Sequence, residues 1–183
     1  GLKFSLSDLW SVRLVAAPGA LVQTATLQLY LYSSSHTDPS AHWAITAGAH
    51  GVRREWQQAN ATWLYPWQVP GAKGDSDRDT LATDAISIEH DWINRWHQWN
   101  VRDLVRDWYN GVRPNYGLLL SADGGEGTYT PGVFNFYSSN ASASNWQRPR
   151  LRVIYDLATP TPMATSTPTP TPTRTATPTA TTP

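Results

Sequence analysis

The chain has 183 residues, long enough for one domain with a buried core, and its 14 Lys and Arg residues balance 14 Asp and Glu residues. A net charge of zero gives no long-range attraction for nucleic acid or for an anionic membrane surface. The absence of cysteine excludes disulfides, zinc-thiolate sites and thiol nucleophiles. The sequence contains no run of about 18 apolar residues, the length that would predict a membrane-spanning helix.

Short alternating segments separated by turns dominate residues 1–157. The clearest is ATLQLYLYS at 25–33, in which Ala or Leu alternates with Thr, Gln or Tyr, the pattern of a strand half buried against a core. Shorter segments of this kind occur at 2–6, 85–89, 117–121, 133–138 and 151–156. Turns rich in Gly, Pro and Asp lie between them. The pattern predicts an all-β domain over 1–157, a jelly-roll-like antiparallel β-sandwich with one short helix.

The ten tryptophans all lie in the predicted β domain. Exposed indoles can stack on the C–H faces of sugars, but a sandwich core also takes up bulky aromatic side chains, so burial is expected for most of them. Trp63 and Trp67 are expected to form an exposed pair, because the loop around them is polar and contains Pro. The candidates for carbohydrate stacking are Trp63, Trp67, Trp92 and Trp96.

The segment GDSDRD places Asp75, Asp77 and Asp79 at alternate positions, like the start of a calcium loop. An EF-hand is excluded, because its sixth and twelfth positions would be Thr80 and Ile86 instead of Gly and Glu. Two interpretations stay open: a simpler Ca²⁺ site on the three aspartates, or a solvated turn in which Asp side chains bond nearby backbone. We expect no other cofactor.

The segment NVRDLVRDWYNG, residues 100–111, predicts one amphipathic helix. Asn100 is the expected N-cap and Gly111 the left-handed stop. Val101, Leu104, Val105 and Trp108 share one face, and the charged residues face away. Such a helix is expected to cover the core and to play no part in an active site.

Residues 158–183 are almost entirely Thr, Pro and Ala and hold half of the chain's 14 prolines. With little apolar surface to bury and few free backbone donors, this segment cannot form a core. It is expected to be an extended polyproline II spacer.

Glycosylation is expected both on the domain and on the Thr/Pro segment. Asn60 in NAT and Asn140 in NAS are N-glycosylation sequons in predicted loops. Thr/Pro tracts have the composition of O-glycosylated stalks. The O-glycosylation candidates are Thr159, Thr161, Thr165, Ser166, Thr167, Thr169, Thr171, Thr173, Thr175, Thr177, Thr179, Thr181 and Thr182.

Several motifs together strongly resemble the DNRLRE-type domain, also grouped with family 96 carbohydrate-binding modules. They are NVRDLVRDWYNGVRPNYGLLLS, FNFYSS and RPRLRVIY, with LKFSLSDL, ATLQLYLYS and NATWLYPWQVPGAKGDSDRD upstream. The resemblance implies an extracellular, non-catalytic sandwich of a kind found in microbial surface proteins and attached to polysaccharide-degrading enzymes. The chain departs from the family at Leu64, where Asn is usual, and it starts at Gly1 without the strands that normally precede LKFSL.

No catalytic motif is present: the sequence lacks G-x-S-x-G, H-E-x-x-H, G-x-x-x-x-G-K and G-x-G-x-x-G. We therefore expect a protein that is not an enzyme. The first hypothesis is a secreted structural glycoprotein, a surface or filament subunit joined head to tail to copies of itself through the stalk and a donated strand. The second is a carbohydrate-binding module tethered to a polysaccharide-active enzyme.

Overall fold

The computed structural model describes residues 3–4, 21–36, 43–57, 59–122, 132–140 and 145–156. This part of the chain contains eight β-strands and one α-helix. The strands are β1 (Lys3–Phe4), β2 (Leu21–His36), β3 (Ala44–Gly51), β4 (Asp84–Glu89), β5 (Arg95–Asn100), β6 (Leu118–Ala122), β7 (Gly132–Phe136) and β8 (Arg150–Asp156), and the helix, α1, is Arg102–Tyr109. The Thr/Pro segment, with all its O-glycosylation candidates, lies outside the described residues.

The strands form two four-stranded antiparallel sheets. The first sheet has the order β1-β6-β3-β4. In the second sheet β2 is central: β5 pairs along one of its edges, while β8 and then β7 pair along the other. The predicted antiparallel β-sandwich with one short helix is confirmed.

The core lies between the sheets, and the alternation of β2 creates one side of it. Ala25, Leu27, Leu29 and Leu31 are all buried there, as the sequence predicts. Burying one such leucine stabilises the fold by about 1.5–3 kcal/mol. Trp99 of β5 is fully buried, and its Nε1 donates a 2.8 Å hydrogen bond to the carbonyl of Ala47 in β3, which links the two sheets.

The helix packs on this core through Leu104 and Val105, which are buried as predicted. Its N-cap position is Val101 instead of Asn100. The Asn100 side chain still accepts a hydrogen bond from the backbone N–H of Arg102 at 3.1 Å. Asn100 therefore bonds the start of the helix from the position before the N-cap. Gly111 has φ +68° and confirms the left-handed stop.

A long loop, residues 52–83, joins β3 to β4 and covers the outer face of the first sheet. Val52, Trp67 and Ala72 pack there against Leu119 of β6 in a second apolar cluster. Among the described residues, no helix has the length and apolar character needed to cross a bilayer.

Candidate aromatic binding surfaces

The structure separates the four tryptophans chosen as stacking candidates. Trp63 is 54% exposed and Trp92 is also exposed, but Trp96 is half-buried and Trp67 is only 8% exposed. The prediction that Trp63 and Trp67 form an exposed pair is therefore wrong. Trp67 packs into the second cluster and donates from Nε1 to the carbonyl of Thr62 at 3.0 Å, because the long loop folds back onto the first sheet.

The long loop is organised around the carboxylate of Asp77, which is 0% exposed. Its Oδ1 accepts the backbone N–H of Gln68 at 2.7 Å, and its Oδ2 accepts those of Val69 and Gly74 at 3.0 and 3.1 Å. Arg54 Nε lies 3.4 Å from Oδ1. Burial alone would raise the pKa of Asp77, but the three N–H donors and the Arg54 charge together lower it below its ordinary value of 3.8.

The three aspartates of GDSDRD do not converge on a common point. Asp79 makes a bidentate pair with Arg113, at 2.7 and 3.1 Å, and Asp75 accepts a hydrogen bond from Thr80 Oγ1 at 3.3 Å. Asp77 is occupied by backbone donors. No three His, Cys, Asp or Glu residues in the described part of the chain are grouped so as to hold a metal ion. The three aspartates therefore have no shared site in this geometry: Asp77 alone bonds backbone, as the turn interpretation has it, while Asp75 and Asp79 bond side chains.

The long loop also carries three consecutive exposed side chains, Trp63, Leu64 and Tyr65. They are 54%, 68% and 62% exposed. The backbone beneath them is bonded on both sides: Thr62 N–H donates to the Tyr65 carbonyl at 2.8 Å, and Gly71 N–H donates to the Trp63 carbonyl at 2.7 Å. These three residues, the loop tip, form an exposed aromatic and aliphatic surface on the first sheet's side of the molecule.

A larger aromatic surface lies on the outside of the second sheet. The β2 residues that alternate with the core leucines point toward this side. We call it the outer aromatic face. Its members are Tyr30, Tyr32, Trp96, Tyr137 and Trp146. Tyr30 is buried at the centre, with the rings of Trp96 and Trp146 each 5.5 Å away and nearly perpendicular to it. Trp146 is 65% exposed and Tyr32 is also exposed.

Arg150 of β8 extends the outer aromatic face with hydrogen-bond donors. Its Nε donates to Gln28 Oε1 at 2.6 Å, and its guanidinium carbon lies 4.1 Å from the ring centroid of Trp96. The side chain thus crosses over β2, from β8 to β5, beside the aromatic cluster. An open groove of about 430 Å³ adjoins it, lined by Gln28, Arg150, Leu151 and Arg152. Rigid rings beside a few oriented polar groups are what ligand sites use for affinity and orientation.

Trp92 lies outside this cluster, in the turn between β4 and β5, and stacks on His97 with ring centroids 6.5 Å apart. His97 is buried and its Nε2 lies 3.0 Å from the Trp92 carbonyl. Burial lowers the pKa of His97 below its ordinary value of 6.5; the Trp92 carbonyl opposes this shift and the Arg95 charge adds to it. His97 thus contacts Trp92 twice, by stacking on its ring and by its bond to the Trp92 carbonyl.

Both N-glycosylation candidates are accessible. Asn60 and Asn140 are exposed and lie in turns, away from the sandwich core. Asn60 Nδ2 donates to Gln57 Oε1 at 3.2 Å, a contact between exposed side chains that leaves the site open to modification.

Comparison with protein-family models, with curated proteins and with solved structures finds no match for the chain. The resemblance to the DNRLRE-type domain, drawn from the quoted motifs, stays a prediction.

Sequence reasoning missed most of the outer aromatic face. Trp96 was a candidate, but Tyr32, Tyr137, Trp146 and Arg150 were not. They come from four separate segments, which the pairing of β7 and β8 with β2 and the 3₁₀ turn Asn145–Gln147 bring together. One signal was present: Tyr30 and Tyr32 alternate with the core leucines, so both had to lie on the face of β2 turned away from the core.

Proposed function

We propose that this domain is a non-catalytic extracellular module that binds carbohydrate at its outer aromatic face. The observation that carries the proposal is the exposure of Trp146 within an aromatic cluster. Trp146 is 65% exposed, so a ligand that covers its indole removes apolar surface from water, which favours binding. Its nearly perpendicular contact with Tyr30 covers part of the indole, and the exposed remainder offers an apolar surface on which a sugar ring can stack.

The exposed arginines near the aromatic cluster suit a hydroxyl-rich ligand. Arg150 lies over the Trp96 ring and carries guanidinium donors, and Arg152 borders the same groove. Stacking supplies most of the contact area, and hydrogen bonds to hydroxyls fix the orientation of the sugar. The resemblance to carbohydrate-binding modules agrees with this chemistry and supports an extracellular location.

The experiment is affinity electrophoresis of the full chain in gels that contain neutral or acidic polysaccharides. We expect at least one polysaccharide to retard the protein, and Trp146→Ala to abolish the retardation while circular dichroism shows an unchanged fold. Trp63→Ala is the matched control, because it removes an indole of similar exposure from the opposite side of the sandwich. No retardation by any polysaccharide, or equal loss in both variants, would count against the outer aromatic face.

A second candidate is the structural subunit, for which one observation speaks. In the described residues β1 is an edge strand of the first sheet and pairs with β6, Lys3 with Leu119 and Phe4 with Leu118. The outer edge of an edge strand is where a strand from another copy can add. Negative-stain electron microscopy of native secreted material tests it: filaments with a one-domain repeat are expected, and dispersed particles would contradict the hypothesis.

A further inference from the structure

We propose that the outer aromatic face has a second occupant, the chain's own Thr/Pro segment, residues 158–183, which competes there with carbohydrate. The segment uses the same surface as the proposed glycan, but its docking does not depend on carbohydrate binding. The sandwich fold does not explain the exposed aromatic cluster or the proline-rich segment. In this proposal the cluster is the binding site and the segment is its ligand.

The chemistry of the two partners matches. In TPTPTPT, residues 167–173, each Pro fixes its own φ near −65°, so an extended polyproline II conformation loses little entropy on binding. Proline-rich segments dock on grooves lined by Tyr and Trp, where the pyrrolidine rings pack flat against aromatic faces. Their backbone carbonyls have no internal partners and accept hydrogen bonds from side-chain donors. Trp146 and Tyr32 supply the rings, and Arg150 supplies donors beside them.

The position where the described chain ends favours this occupant. β8 ends at Asp156, opposite Leu21, whereas Arg150 lies opposite Gln28 beside the aromatic cluster. Six residues of antiparallel strand separate these points, a distance of about 20 Å. Between them the outer side of β8 carries Arg152 and the exposed Ile154, so a returning segment would pass these residues and the open groove at Arg150 before it reaches the aromatic cluster.

The segment is long enough to make this return. The 11 residues from Asp156 to the start of the TPTPTPT run span about 34 Å at 3.1 Å per residue, which covers the 20 Å along β8 and leaves a few residues for the turn. The same length also reaches a neighbouring copy. Docking within one chain and docking between copies present the same contacts to the face.

The absence of cysteine allows a direct test on the full chain. Ser166→Cys carries a nitroxide label next to the TPTPTPT run, and NMR records the indole Nε1–H signals, assigned by Trp→Phe variants. We expect the signals of Trp146 and Trp96 to lose most of their intensity and that of Trp63 to keep it. Equal intensities at Trp146 and Trp63 would overturn the proposal.

A matched pair of variants separates docking from mere proximity. Replacing Pro168, Pro170 and Pro172 by Ala in the labelled chain is expected to restore the Trp146 signal, whereas Pro178→Ala is expected to leave it broadened. An unchanged signal in the triple variant would overturn the proposal. A mixture of ¹⁵N-labelled chains without nitroxide and nitroxide-labelled chains at natural isotope abundance distinguishes the two modes of docking. Broadening in this mixture indicates contact between copies. Broadening only when one chain carries both labels indicates docking within that chain.

The electrophoresis experiment fails or succeeds independently of these signals. Retardation by a polysaccharide without any paramagnetic effect at Trp146 would leave carbohydrate binding standing and remove the Thr/Pro ligand. If both occupants use the face, the polysaccharide that retards the protein is expected to restore the Trp146 signal in the labelled chain, since it displaces the segment.

Discussion

Replacing Asp77 by Asn removes one charge from the centre of the long loop while almost preserving its shape. The carboxylate accepts three backbone N–H groups, and both of its oxygens are used. Asn has one acceptor oxygen, so its NH₂ group must face a backbone donor in either orientation. The less costly orientation keeps the bonds from Val69 and Gly74 and leaves the N–H of Gln68 without an acceptor.

The expected loss follows from these contacts. An unsatisfied buried N–H costs about 1–3 kcal/mol, and bonds to a charged acceptor are worth up to about 1.5 kcal/mol more than neutral ones. Loss of the 3.4 Å contact with Arg54 adds little, because the Arg54 side chain is a third exposed. We expect Asp77→Asn to lower the free energy of unfolding by roughly 2–4 kcal/mol, which for a domain of this size lowers Tm by about 5–15 °C.

Urea unfolding and thermal melts measure this loss, and Asp75→Asn is the control. Asp75 is exposed and accepts one hydroxyl bond from Thr80, so its replacement is expected to cost less than about 0.5 kcal/mol. Hydrogen exchange locates the effect: the amides of Gln68, Val69 and Gly74 are expected to exchange faster only in Asp77→Asn. Equal stability of the two variants would refute the view that Asp77 holds the loop together.

Three further predictions concern the interior and the aspartate turn. Because the pKa of His97 is lowered, the unfolded chain binds its proton more tightly, so stability is expected to fall as pH drops below about 6.5, and His97→Gln should flatten that part of a Tm–pH curve. Gly132→Ala should destabilise the fold by about 1–3 kcal/mol in urea unfolding, since the added Cβ would lie 2.4 Å from the Trp43 ring; wild-type stability would contradict this. Millimolar Ca²⁺ should leave Tm unchanged, and an increase in Tm would instead support a calcium site on the three aspartates.

Strands and helix were predictable where one face is apolar at a regular spacing. The alternation in β2 and the helical spacing of Leu104 and Val105 are both visible in sequence because the core lies on one side. β3, AITAGAHG, was missed because its small residues carry no alternation of size. They are nevertheless needed there: Ala47 and Ala49 are buried beneath larger core side chains. β5, RWHQWN, was missed because it is bulky on both faces, with Trp99 in the core and Trp96 outside.

The exposure of tryptophans was harder to predict than their secondary structure. Trp63 and Trp67 lie in the same polar loop, yet one is exposed and the other buried, because what decides burial is the contact of Trp67 with Leu119, distant in sequence. The outer aromatic face is likewise assembled from separate strands and a short 3₁₀ turn, Asn145–Gln147. Local polarity carries no information about such pairings, and the alternation of Tyr30 and Tyr32 marked only their side of the sheet.

The most direct test of the proposed site is to titrate an oligosaccharide of a retarding polysaccharide into the ¹⁵N-labelled chain and follow the indole signals. A sugar stacked on the outer aromatic face should shift the signals of Trp146 and Trp96 and leave Trp63 in place. Trp146→Ala should then weaken binding at least about tenfold, the factor that corresponds to 1.4 kcal/mol. Shifts confined to Trp63, or binding unchanged in Trp146→Ala, would place the site elsewhere and contradict the proposal.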